Sequence, residues 1–182
     1  GDFATGNATL RGSLAAYHVV VWRATGSGFG DAHTGATLFS TATVQNTLPG
    51  QPVVLRGFKL MTGHLRLVAK DAAGPIQVED CKFLLDPPAL QVDFVGVTAQ
   101  NCASLTLTRC AVRGVGFFFD PGPGLRATQS HVSAYDSSFL GGDGDPGCIG
   151  EPSGFPHNGD PGADGAVITA GTLYASNCTF TG

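Results

Sequence analysis

The chain has 182 residues, of which 42% are hydrophobic and only 13% are charged. Its formal net charge is −4 and it has no basic cluster, which disfavours binding to nucleic acid through phosphate contacts. It contains no run of eighteen apolar residues, which disfavours a membrane span, and its 27 glycines are typical of a turn-rich β domain.

Five segments share one eight-residue pattern: apolar, any, apolar, any, turn residue, small residue or cysteine, any, apolar. They are residues 53–60 (VVLRGFKL), 76–83 (IQVEDCKF), 105–112 (LTLTRCAV), 132–139 (VSAYDSSF) and 173–180 (LYASNCTF). Their starts are 23, 29, 27 and 41 residues apart, so the unit is constant while the connections vary. A repeat of this size with strand-like alternation is typical of a β-solenoid, in which each coil packs against its neighbours.

The alternation changes phase once within each unit. Ile76 and Val78 share a face, whereas Cys81 and Phe83 are offset from them by an odd number of residues. Two residues must therefore form a corner, whose second position is occupied by Gly57, Asp80, Arg109, Asp136 and Asn177. Glycine, aspartate and asparagine accept a positive φ most easily, so a left-handed residue is predicted here, with Arg109 as the exception.

The first strand of each coil is fainter in the sequence. The candidates are residues 65–68, 90–94, 125–128 and 167–169, and residues 18–22 (HVVVW) resemble one more strand. Stacked coils would align Ile76, Leu105, Val132 and Leu173 in one internal ladder, and Phe83, Val112, Phe139 and Phe180 in another. An antiparallel β-sandwich is the alternative, although a sandwich has no reason to repeat a corner residue in register.

The five cysteines allow two interpretations. They are Cys81, Cys102, Cys110, Cys148 and Cys178, and three of them occupy the same inward repeat position. They could form disulfides or bind a metal, or they could be buried thiols that act as small hydrophobic side chains. The second interpretation is favoured because stacked strands seldom orient their Cβ atoms for a disulfide.

The connections that follow the third strand are unequal in length. Residues 84–89 are short, 113–124 contain Phe117, Phe118 and Phe119, and 140–165 form a long Gly/Pro/Asp-rich excursion. The glycine spacing of this excursion resembles collagen but is interrupted, so a polyproline-like loop is favoured. The three phenylalanines are candidates for stacking on sugar rings or for a subunit contact, unless two of them fill the core beneath the loop.

The long loop also supplies weak candidates for a calcium site, namely Asp143, Asp145, Asp160 and Asp164. Carboxylate oxygens are suitable Ca²⁺ ligands, but the spacing matches neither an EF-hand nor the glycine-rich calcium repeat. Solvated loop acids are therefore the alternative. No other cofactor is predicted.

These units resemble the right-handed parallel β-helix proteins of the pectate-lyase-like superfamily. They are most similar to large secreted bacterial proteins that combine phrases such as VVLRGFKLMTG and LYASNCTFTG with a GGDGD…GDPGADG loop. The resemblance covers residues 42–182 and implies an extracellular or cell-surface location. Polysaccharide lyases of this superfamily use acids and a basic residue on one exposed sheet, and Arg66, Asp93 and Arg126 are the matching candidates. The NTD, DD, GHG and RIK motifs of its polygalacturonases do not occur.

The sequence therefore predicts one all-β domain over residues 1–182, a right-handed parallel β-helix with long Gly/Pro-rich loops. No cap-like segment follows Phe180, so we expect a fragment of, or a subunit in, a larger array. The expected function is a non-catalytic structural, adhesive or assembly element of a surface protein or filament. Its partners would be further copies of itself or the rest of a longer solenoid. The alternative is a carbohydrate-active domain, a lyase or glycoside hydrolase, that binds or cleaves acidic polysaccharide.

Overall fold

A computed structural model describes residues 8–11, 20–23, 39–58, 64–83, 95–115, 121–144 and 161–182. In these ranges the chain forms six successive coils. Coil one contains β1 (Ala8–Arg11) and β2 (Val20–Arg23), and coil two contains β3 (Phe39–Gln45) and β4 (Val53–Arg56). Coil three contains β5 (His64–Lys70), β6 (Ile76–Glu79) and β7 (Lys82–Phe83), and coil four contains β8 (Val97–Gln100), β9 (Leu105–Thr108) and β10 (Ala111–Arg113). Coil five contains β11 (Leu125–Thr128), β12 (His131–Tyr135) and β13 (Ser138–Leu140), and coil six contains β14 (Ala166–Thr169), β15 (Thr172–Ser176) and β16 (Thr179–Thr181).

The strands form three sheets in which each strand pairs with its equivalent in the next coil. The order is β1-β3-β5-β8-β11-β14 in the first sheet, β2-β4-β6-β9-β12-β15 in the second and β7-β10-β13-β16 in the third. Every strand pair in the described ranges is parallel. The fold is therefore all-β with parallel strands in stacked sheets, consistent with a β-solenoid. The antiparallel sandwich is incompatible with this pairing, and no described helix is long and apolar enough to cross a membrane.

Both predicted internal ladders are confirmed by the register. Ile76 aligns with Leu105, Leu105 with Val132, and Val132 with Leu173. The second ladder consists of Phe83, Val112, Phe139 and Phe180. The rings of Phe139 and Phe180 stack with centroids 5.0 Å apart and planes inclined by 7°. Full burial of such a side chain stabilises the fold by about 1.5–3 kcal/mol, which applies to the ladder residues of coils three to five; Leu173 and Phe180 of coil six are only partly buried.

The predicted first strands agree with the structure in three coils and not in the fourth. Residues 65–68, 125–128 and 167–169 lie within β5, β11 and β14. The position predicted for residues 90–94, which lie outside the described residues, belongs instead to β8, which pairs with β5 and β11. Its inward residues Val97 and Ala99 are buried in the core.

Candidate functional site

The corner between the second and third sheets, called the second corner, contains two residues in coils three to six. Its first residue is left-handed: φ is 54° at Asp80, 51° at Arg109, 49° at Asp136 and 53° at Asn177. The sequence pattern placed the corner one residue too early, at Glu79 and Asp80, because Glu79 is still the last residue of β6. The equivalent Gly57 has a φ of 74°. The predicted left-handed corner is confirmed, and Arg109 adopts this conformation like the other four residues.

A second set of left-handed residues lies at the corner between the first and second sheets, called the first corner. It consists of Asn46, Asp71, Asn101, Gln129 and Ala170, whose φ angles are 48° to 55°. Sequence reasoning missed this set because the distance from this residue to the next strand varies between coils. The available signal was an Asn, Asp or Gln directly after β3, β5, β8 and β11.

Corner side chains of adjacent coils bind one another. Arg109 donates through Nε and Nη2 to the two carboxylate oxygens of Asp80 at 2.7 and 3.1 Å. Asn177 Nδ2 donates to Asp136 Oδ1 at 2.6 Å in the same way. The first corner has one such bond, in which Asn101 donates to Asp71 at 2.8 Å. In all three pairs the earlier coil supplies the aspartate and the later coil supplies the donor, so the corners connect successive coils.

The residue that follows each left-handed position is a small, buried hydrogen-bond donor in several coils. Cys81, Cys110 and Ser137 each donate to the carbonyl two residues back, at 3.1, 3.4 and 2.7 Å. Cys102 and Ser130 make the same contact at the first corner, at 3.4 and 2.8 Å. The cysteines therefore satisfy the backbone at the bend, as serine does.

The described cysteines Cys81, Cys102, Cys110 and Cys178 are free thiols, and Cys148 lies outside the described residues. The neighbouring Cys110 thiol and burial both raise the pKa of Cys81. Burial also raises the pKa of Cys102. Because the thiolate is the nucleophile, these two side chains are poor candidates for nucleophilic chemistry.

In coils three to six, three connections run from the third sheet to the first sheet, on what we call the loop side. They join β7 to β8, β10 to β11 and β13 to β14. The chain is tightly packed where the longest connection leaves and returns: a Cβ added to Gly141 would collide with the backbone oxygen of Ala163. Ala163 N donates to Gly142 O at 2.9 Å, so the two ends of this connection are clamped together.

The predicted loop acids are only partly within the described residues. Asp143 is exposed and accepts a bond from Arg113 Nη2 at 2.8 Å, while Asp164 is exposed. Asp145, Asp160 and the three phenylalanines Phe117, Phe118 and Phe119 lie outside the described residues. In the described part of the chain, no three His, Cys, Asp or Glu side chains lie close enough together to bind a metal.

Two of the three lyase-type candidates lie on the outer face of the first sheet. Arg126 is exposed, and Arg66 donates from Nε to Thr41 Oγ1 at 2.8 Å. Asp93 lies outside the described residues. Lys70 points outward from the same sheet, so the described charged side chains on this face are all cations. The face therefore attracts anions, even though the chain as a whole is acidic.

The outer surface near the second corner carries two features that sequence reasoning did not identify. Tyr135 and Tyr174 form a tilted pair with ring centroids 5.8 Å apart, and the side chains are 37% and 60% exposed. Beyond the corner, a shallow groove of about 410 Å³ crosses coils three to six.

Comparisons with protein-family models, curated proteins and solved structures found no match.

Proposed function

We propose that this chain is a non-catalytic extracellular β-solenoid that serves as a structural, adhesive or assembly element of a surface protein or filament. The observation that carries this proposal is the pairing of charged groups between coils, at the second corner and at the strand ends beside it. Arg109 and Asp80 engage each other, and Arg56 lies 3.3 Å from Glu79 of the next coil. Charged side chains that pair between coils stabilise the stacking of those coils. They are unsuited to proton transfer, because a general acid or base must be accessible to substrate.

The same proposal specifies a right-handed parallel β-helix. Support comes from the two-residue, left-handed second corner, which recurs in coils three to six. Support also comes from the parallel pairing, because crossover connections between parallel strands of one sheet are almost always right-handed.

Coil six offers a surface on which another coil could stack. Strands β14, β15 and β16 are the edges of their sheets, and Phe180 is 42% exposed although its ring belongs to an internal ladder. Leu125 N donates to Gly165 O of coil six at 3.0 Å, so the N–H of the equivalent residue Ala166 faces away from coil five. Such edges favour strand pairing, and the proposed partner is a further coil, from a longer polypeptide or from another copy.

Light scattering combined with negative-stain imaging over a range of concentrations tests the stacking. We expect end-to-end oligomers or filaments, which Ala166→Pro should abolish without lowering the thermal midpoint, because no bond to coil five is lost. Thr169→Ala on the outer face of coil six is the matched control and should assemble normally. A monodisperse monomer at every concentration, together with turnover of a polysaccharide, would refute the proposal.

A second candidate function, binding of acidic polysaccharide, is favoured by the cations Arg66, Lys70 and Arg126 on the first sheet. Retardation of the protein in gels that contain polygalacturonate would test it. Lys70→Ala and Arg126→Ala should each weaken binding, and added salt should weaken it further because exposed charges are screened. Equal retardation of wild type and both variants would eliminate this candidate.

A further inference from the structure

The tyrosine pair is an exposed aromatic surface on the outer face of the second sheet, which is otherwise polar in coils three to six. Both rings project from the outer face of the second sheet, where Tyr174 aligns with Ser133 and Tyr135 aligns with Ser176. The rings touch each other at a tilt of 52°, which leaves part of each face open to solvent. Large aromatic rings gain most from burial, so an exposed pair of this kind is suited to a ligand that covers it.

The groove beside the second corner, called the corner groove, includes Asp136 as its first lining residue in coil five, directly after Tyr135 in sequence. Its floor contains Lys82, Ala111, Ser138 and Thr179, which align in register across the third sheet. Because adjacent strands are about 4.8 Å apart, the row spans roughly 14 Å perpendicular to the strands. The wall contains the left-handed corner residues, which point outward in the same register.

The polar groups at the coil five and six end of the groove are already positioned. Asn177 donates to one oxygen of Asp136. Within the described residues, no group donates to the second oxygen, Oδ2, or to Asn177 Oδ1. Ser138 and Thr179, which carry hydroxyl groups, line the same groove. Two open acceptors and two hydroxyls in one groove match a ligand with several adjacent hydroxyl groups, which can both donate and accept.

The charge of the groove is balanced. Its charged lining residues are the acids Asp80 and Asp136 and the bases Lys82 and Arg109. Arg109 is neutralised by Asp80 through two short contacts. This balance contrasts with the cationic outer face of the first sheet and gives no preference for an anionic polymer.

We propose that Tyr135, Tyr174 and the corner groove form a binding site for an uncharged saccharide chain that lies across coils five and six. The tyrosine rings would stack on the apolar faces of sugar rings, while Asp136, Asn177, Ser138 and Thr179 would bind hydroxyl groups. This site goes beyond the structural function proposed above. It includes the coil-six side chains Tyr174, Asn177 and Thr179, but it requires neither the unpaired backbone groups of the coil-six edge nor the first sheet.

Affinity electrophoresis in gels that contain hydroxyethyl cellulose, xyloglucan or galactomannan tests the site, with polygalacturonate as the charged comparison. We expect at least one uncharged polymer to retard the wild-type protein. Tyr174→Ala and Asp136→Asn should each weaken that interaction by about tenfold or more, since an aromatic anchor or a desolvated polar anchor dominates such contacts. Arg126→Ala, on the first sheet, is the matched control and should leave it unchanged.

Far-ultraviolet circular dichroism and thermal midpoints of both variants keep the result interpretable, because both positions are exposed and unfolding is not expected. No retardation by any of the three uncharged polymers would overturn the site. Equal retardation of wild type and Tyr174→Ala would overturn it too, as would binding to polygalacturonate alone that disappears in Arg126→Ala. Filament formation is measured separately, so its presence or absence does not affect this outcome.

Discussion

Arg109 and Asp80 occupy the same left-handed corner of adjacent coils, and the guanidinium of Arg109 holds both carboxylate oxygens of Asp80. Asp80 accordingly raises the pKa of Arg109. This ion pair explains how the long side chain of Arg109 is accommodated at a corner position where coils three, five and six have Asp or Asn. We expect Arg109→Gly to be more stable than Arg109→Ala. Both variants lose the ion pair, but only alanine then keeps the strain of a positive φ. Equal thermal midpoints would contradict the left-handed assignment.

Ala170 is the position where a stabilising substitution is expected. It is exposed and has a φ of 51°, a conformation that costs a residue with a Cβ about 1–2 kcal/mol relative to glycine. Ala170→Gly should therefore raise the free energy of unfolding, measured in urea. The net gain should be at most about 1 kcal/mol, because glycine also increases the conformational entropy of the unfolded chain. Ala103→Gly is the control, since Ala103 is exposed without a positive φ, and it should be destabilising.

Gly141 is expected to be intolerant of any side chain. Its Cβ position is occupied by the backbone oxygen of Ala163, so Gly141→Ala must push apart the two ends of the long connection. We expect a loss of about 1–3 kcal/mol in urea unfolding, as for overpacked interiors. Gly57→Asn is the matched control, because the space there is open and asparagine accepts its φ of 74°. A fully stable Gly141→Ala variant would show that the two ends are not in contact.

Phe139 tests the internal ladder. It is 1% exposed and stacks on Phe180, so Phe139→Ala should cost about 3–5 kcal/mol. Tyr135→Ala, four residues earlier but on the outer face, should change stability far less. Similar losses for the two variants would be incompatible with the inward and outward assignment of β12 and β13.

The buried thiols should make the fold sensitive to alkali. Burial raises the pKa of Cys102 in the folded state, so its contribution is fully present below the unfolded pKa of about 8.5. That contribution is lost as pH rises through the folded pKa, because only the unfolded chain releases the proton. The free energy of unfolding then falls by up to about 1.4 kcal/mol per pH unit. Urea unfolding between pH 7.5 and 10 should show a decline that is shallower in Cys102→Ala. An identical decline in both proteins would count against the burial of this thiol.

The second corner could be predicted from the sequence because two strands flank it at fixed distance. That constancy keeps Asp80, Asp136 and Asn177 at one place in a repeating phrase. The first corner lacks such a phrase, since the distance from Asn46 to β4 is longer than that from Gln129 to β12. A repeat pattern identifies only segments that recur. In coil four the apolar residues 90–94 therefore gave a stronger strand signal than β8, in which only Val97 and Ala99 face inward.

The candidate site was harder to predict than the fold. Arg66 and Arg126 were candidates through the resemblance to polysaccharide lyases, and the structure places both on the outer face of the first sheet. Tyr135 and Tyr174 lie 39 residues apart in sequence, and only the register that aligns β12 with β15 brings their rings together. The Asn177–Asp136 bond depends on the same register. The sequence does not fix that register, because the connections between coils differ in length.

Cross-linking of in-register positions tests the parallel stacking of coils most directly. Thr106 and Ser133 are aligned neighbours on the outer face of the second sheet, whereas Gln77 and Ser133 are separated by the intervening coil four. In a background without native cysteines, cysteines at 106 and 133 should be joined rapidly by a short thiol cross-linker within the monomer. Cysteines at 77 and 133 should not be joined. Efficient cross-linking of the second pair, or failure of the first in a folded protein, would contradict the stacked parallel fold.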